Sequence, residues 1–190
     1  MHQSTDVVAL LLAQHEQIRQ LFGDLETAPP VARQEIFDDL RRLLAVHETA
    51  EELITHPRTR TLPGGNDVVD ARLDEETASK KLLASLDGMS VHDADFPARL
   101  AELKRAVLDH AAAEEREEFP LLADGLGERQ LELMARAVRA AEALAPTHPH
   151  PSAGSSMATN LVAGPIAAVV DRTRDAVRSV LDRGDGADPR

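Results

Sequence analysis

Twice in this 190-residue chain a histidine stands four residues ahead of a glutamate: His47 with Glu51 and, 63 residues later, His110 with Glu114. On a helix, residues four apart lie one above the other on the same face. In both copies that face is apolar. Ile36, Leu40, Leu43 and Leu44 lead at helical spacing to His47, Glu51 and Ile54, and Leu100, Leu103 and Val107 lead to His110 and Glu114. Four ionisable groups therefore point into a helical core, where an unpartnered carboxylate is costly and such groups either pair or coordinate metal.

The repeat reaches beyond the two pairs. Glu51-Glu52 through His56-Pro57 matches Glu114-Glu115 through Phe119-Pro120 at the same offset. Upstream, His15 followed by Leu21-Phe22 and Leu25 aligns with Glu76 followed by Leu82-Leu83 and Leu86, so His15 corresponds to Glu76. Each half supplies one ligand-type residue from its first helix and a His-x-x-x-Glu pair from its second. Helix bundles build metal sites in this way, and carboxylates can bridge two ions. Six candidates from two related halves argue for two metals, with buried His–Glu ion pairs as the plainer alternative.

Composition supports an all-α fold, because aromatics make up only 2% of the chain while Ala, Leu, Arg and Glu abound. We expect an up-down four-helix bundle over residues 1–145 that includes a fifth short helix near its end. A Pro/Ser/Gly-rich linker over 146–160 and a C-terminal amphipathic helix over 161–190 should follow. Helix A begins at Ser4 or Asp6 and stops at Pro29-Pro30; helix B runs from about Val31 to Thr55. Helix C is expected to be capped by Asn66 and to end at Asp87-Gly88, and helix D opens at Asp95 with Pro97 in its first turn. The acids Glu48, Glu52, Glu115, Glu117 and Glu118 are read as solvated faces.

The absence of Cys rules out thiolate nucleophiles and cysteine-ligated clusters, so any metal must use imidazole and carboxylate. That donor set suits iron in preference to manganese. A net charge of −12 without a basic stripe argues against nucleic acid. No stretch reads as a signal peptide or a membrane span, and a cytoplasmic protein is expected. The C-terminal helix could serve a protein partner or self-association.

In its order of His, His-x-x-x-Glu, a third-helix residue and a second His-x-x-x-Glu, the chain resembles the hemerythrin-like cation-binding (HHE) family over roughly residues 5–145. The resemblance implies two non-haem, carboxylate-bridged irons. His15 and His47 would ligate one, His110 and Glu76 the other, and Glu51 and Glu114 would bridge. It implies a small ligand such as O₂, H₂O₂ or NO, handled in sensing, storage or catalase-like peroxide decomposition. The other readings are an iron store or scaffold without redox turnover, or a metal-free helical adaptor. At Glu76 the family has His; an anionic ligand there should favour the oxidised metal and disfavour reversible O₂ carriage. Family relatives often carry an aromatic residue where this chain has His56. Nine residues past His47, His56 points away from the ligand face of a straight helix and ranks as an outer candidate ligand.

Overall fold

A computed structural model of the chain describes residues 6–144, 171–175 and 177–179, and every regular element among them is helical. Helix α1 spans Val7–Thr27 and is capped by Asp6, whose carboxylate accepts from the Ala9 amide at 2.8 Å. Helix α2 follows a single tight turn and spans Pro30–Ala50, with Pro30 at a first-turn position where its missing N–H costs nothing. It continues without a break through a π-helical turn, Glu51–Thr55, into the short helix α3, His56–Thr59.

Helix α4 covers Gly65–Leu86. Asn66 does not cap it: the chain enters through Gly64 in the left-handed region (φ 79°), and Asn66 instead accepts a hydrogen bond from Arg60. Gly88, also left-handed at φ 84°, closes the far end as its sequence position suggests. Helix α5, Phe96–Ala113, is preceded by Asp95, which holds the cap position without making a side-chain capping bond. A second π-turn, Glu114–Glu118, then leads into α6, Phe119–Gly125, and α7 spans Glu128–Leu144.

Four rods therefore make the bundle: α1, α2 with α3, α4, and α5 with α6. Helix α1 packs along α2, α4 packs along α5, and α7 lies against α1 and α2. The apolar interior falls into two layers. One gathers Val7, Leu11, Ala50, Ile54, Phe119 and Leu122 with the inner face of α7; the other gathers Ile18, Phe22, Leu40, Leu44, Leu103 and Val107. On α1, on α2 with α3, and on α5 with α6 the ligand-type residues sit between these layers, as His15 does between Leu11 and Ile18. The polar groups are thus sealed above and below by hydrocarbon. Residues 171–175 and 177–179 are helical, and Val177 joins the first layer. The expected linker and the rest of the expected last helix lie outside the described residues. No helix among the described residues is long and apolar enough to cross a membrane.

Candidate metal centre

The two π-turns begin at the two glutamates of the repeated pairs, Glu51 and Glu114. A π-turn inserts one residue into the helical count, and such bulges concentrate at functional sites. Its effect here is rotational. Without it His56 would lie about half a turn from His47 around the rod; the extra residue shifts it by about 100° toward the core. His56 is accordingly buried, with Nε2 2.6 Å from Glu76 Oε1 and Nδ1 3.0 Å from Glu118 Oε1. The outward direction expected for His56 is therefore wrong. Phe119, its counterpart in the second half, turns inward in the same way and stacks on His15 with ring centroids 5.4 Å apart.

At the centre, one donor atom from each of His15, His47, Glu51 and Glu114 lies within 4.8 Å of all the others. His47 Nε2 is 3.3 Å from Glu51 Oε2, and His15 Nε2 is 3.2 Å from Glu114 Oε2. His110 Nε2 approaches the other oxygen, Glu114 Oε1, at 3.4 Å. These approaches are close in charge terms but misdirected for hydrogen bonding: both oxygens of Glu51, both of Glu114 and His110 Nε2 have no hydrogen-bond partner. Glu51 and Glu114 are 1% and 0% exposed, so water cannot supply one from outside.

Each imidazole is held from behind. His47 Nδ1 meets Gln14 Oε1 at 2.7 Å, and the Gln14 amide nitrogen donates to Glu142 Oε1 at 2.6 Å. Because a carboxylate can only accept, that second bond fixes the amide orientation, so His47 must donate from Nδ1. His15 Nδ1 meets Glu115 Oε1 at 2.9 Å, and Arg19 holds the same oxygen. His110 Nδ1 meets Glu75 Oε2 at 3.0 Å, and Glu75 is paired with the buried Arg72. With their Nδ1 protons committed, His15 and His47 turn two Nε2 lone pairs toward each other at 3.1 Å. Two facing lone pairs repel unless a proton or a metal ion stands between them. An imidazole anchored through Nδ1 to a carboxylate or amide is also the usual arrangement for metal-ligating histidine.

The electrostatics follow from the same crowding. Burial, reinforced by His15, lowers His47 to about 3, so it stays neutral and able to ligate. Burial, with Glu114 and Glu118 adding like charge, pushes Glu51 well above the usual carboxylate range. Burial would also lower His110, but the Glu114 carboxylate overrides it and raises His110 to about 9. Burial would raise Glu114, yet His110 and His15 hold it well below the ordinary range. This donor set fits a cation: unpartnered carboxylate oxygens and imidazole nitrogens converge, and the protons that Glu51 and His110 are driven to keep are what a metal ion would displace.

Glu76 sits apart from the four-residue cluster. Both its oxygens have partners, His56 Nε2 on Oε1 and Lys80 Nζ on Oε2 at 2.9 Å. Burial would raise it, but these two bonds hold its carboxyl below the ordinary range. Of the acids expected to face solvent, Glu118 is 0% exposed and Glu48 is 8%. Glu118 anchors His56 and accepts from Thr59; burial and the nearby Glu76 charge raise Glu48 to about 7 despite Lys80. The signal that could have revealed the rephasing is Phe119: on a straight helix a large aromatic nine residues past His110 would face water.

Comparison with known proteins places this geometry in context. The family model of the hemerythrin HHE cation binding domain matches residues 6–122. An uncharacterised hemerythrin-like protein of Schizosaccharomyces pombe is 29% identical over 155 residues, covering 80% of this chain and 74% of the relative. A protein of a Nostoc species named as a DNA nickase is 28% identical over 141 residues, 74% of this chain but only 40% of that protein's length. No solved structure matches.

Proposed function

The chain belongs to the hemerythrin HHE cation-binding domain family, and on that premise we propose that it holds two non-haem irons, bridged by carboxylate, and acts on O₂, peroxide or nitric oxide. The observation that carries this reading is the pair of facing Nε2 lone pairs on His15 and His47, set against the unpartnered oxygens of Glu51 and Glu114. His15, His47, Glu51 and Glu114 would hold one ion; His110 and Glu76 would complete the second, sharing the two glutamates. Iron, when bound, supplies the exchange of electrons with a small oxidant.

The protein's own part is to orient and to exclude. Gln14, Glu115 and Glu75 fix the three imidazoles so that each Nε2 faces inward, which preserves donor geometry when an ion arrives or leaves. The two apolar layers keep water from the carboxylates, strengthening every charge interaction between them. Burial and the neighbouring Glu114 and Glu118 charges favour the protonated form of Glu51, so a metal taken there competes with its proton. Strand cleavage, which one relative's name states, forms no part of this proposal, since a chain of net charge −12 without a basic stripe is poorly suited to phosphate.

The chain has no Trp or Tyr, so near-ultraviolet and visible absorption reports on the metal centre almost without background. Reduced, iron-loaded protein exposed in turn to O₂, H₂O₂ and NO should change colour with at least one of them. A spectrum indifferent to all three would contradict the reading. Catalytic loss of H₂O₂ would separate turnover from storage.

A further inference from the structure

The two halves are related by sequence but differ where they meet the metal. In the first half, the first-helix residue is His15, its Nε2 free of any cation and stacked beneath Phe119. In the second, the corresponding residue is Glu76, and where Phe119 packs on His15, His56 bonds to Glu76 instead. Lys80, one turn further along α4, takes the remaining oxygen of Glu76. The same ammonium also reaches Glu52 at 2.5 Å and Glu48 at 3.4 Å. The surroundings differ as well. His15, Glu51 and Glu114 are sealed at 1% exposure or less, whereas the Lys80 side chain is 47% exposed. It lines a cavity of about 330 Å³ walled by Leu44, Leu83, Leu103 and Val107.

Resting on the di-iron reading, we infer that the two metal positions are unequal: Lys80 acts as a lock on the second, holding Glu76 away from metal, while the first is preformed. At the first position the donors already converge and nothing cationic must leave. At the second, an ion must take Glu76 from Lys80 or from His56, and the positive charge of Lys80 opposes its approach. The cavity beside Lys80 gives that ammonium room to swing outward, toward Glu48 and Glu52, which it already touches. The second ion is therefore the weaker one, held on the side of the cavity, and the first is the permanent one. Lys80 is a positioning residue, not a ligand.

Chelator competition on the iron-loaded chain tests this by counting ions retained as chelator rises. The wild type should release one ion at a chelator concentration about tenfold or more below that needed for the other. Lys80→Met should narrow or close that gap by tightening the weaker ion, and Lys80→Arg, which keeps the charge, should behave as wild type. Far-ultraviolet circular dichroism checks that each variant remains helical; should Lys80→Met fail to fold, Lys80→Gln takes its place. Release of both ions together from the wild type, or a gap unchanged in the charge-removing variant, would overturn the lock. A protein that never carries a second ion would instead overturn the di-iron reading, and the lock with it.

Discussion

At the scale of single residues, the centre depends on what stands behind each ligand as much as on the ligand. Gln14 ties His47 to Glu142 on α7, and Glu75 ties His110 to Arg72. Gln14→Ala should therefore weaken metal binding by about 10- to 100-fold with the helices intact, measured by chelator competition. An affinity equal to wild type would show that the ring needs no such support. Glu51→Ala and Glu114→Ala should each lose more iron than Glu76→Ala, since a bridge serves two ions and Glu76 already has two protein partners. His56 offers a prediction in pH. Burial would lower it, but hydrogen bonds to Glu118 and Glu76 raise it from 6.5 to about 10. A raised folded-state value means that its contribution to metal-free stability is complete below pH 6.5 and is lost as pH climbs through about 10. The gap in melting temperature between wild type and His56→Phe should therefore be wide below pH 6.5 and shrink above 10; a gap independent of pH would contradict the ion pairing.

At the scale of elements, the sequence made the helices legible and hid their phase. Period and caps located α1, and Gly88 closed α4 as its position suggested. The inward turn of His47, Glu51, His110 and Glu114 followed from apolar neighbours at helical spacing. A straight rod misplaces His56, because a π-turn carries no composition of its own, whereas Glu48, upstream of the first turn, and Glu118, four residues past Glu114, read as solvated only because they stand in acidic runs. The turn at Glu114–Glu118 consists of four acids and an arginine, which reads as a solvated surface. Only tertiary packing drives Glu118 inward, where His56 and Thr59 both bond its Oε1. The rephasing can be tested directly. Deleting Leu53, which lies within the first π-turn and is not a proposed ligand, should restore a straight helix and carry His56 out of the core by about 100°. The deleted form should lose the pH-dependent part of its stability between 6.5 and about 10 while keeping its helix content by circular dichroism. Retention of that pH dependence would mean that the bulge does not set the direction of His56.

At the scale of the whole molecule, the architecture is a polar layer between two apolar ones, closed on one side by α7. Every proposed ligand precedes α6, so removal of residues 158–190 should leave iron content unchanged. That truncation exposes the pocket filled by Val177, which is 1% exposed, and should cost roughly 2 kcal/mol of stability. A folded truncated protein without iron would show that the C-terminal segment belongs to the site. The central claim is that the converging lone pairs and unpartnered carboxylates of a duplicated half-site hold a pair of ions. Elemental analysis of the full chain, produced with ample iron and purified without chelator, tests it most directly. The account predicts about two irons per chain, falling sharply when Glu51 and Glu114 are both replaced by Gln; at most one tightly bound metal, or iron unaffected by those replacements, would contradict it.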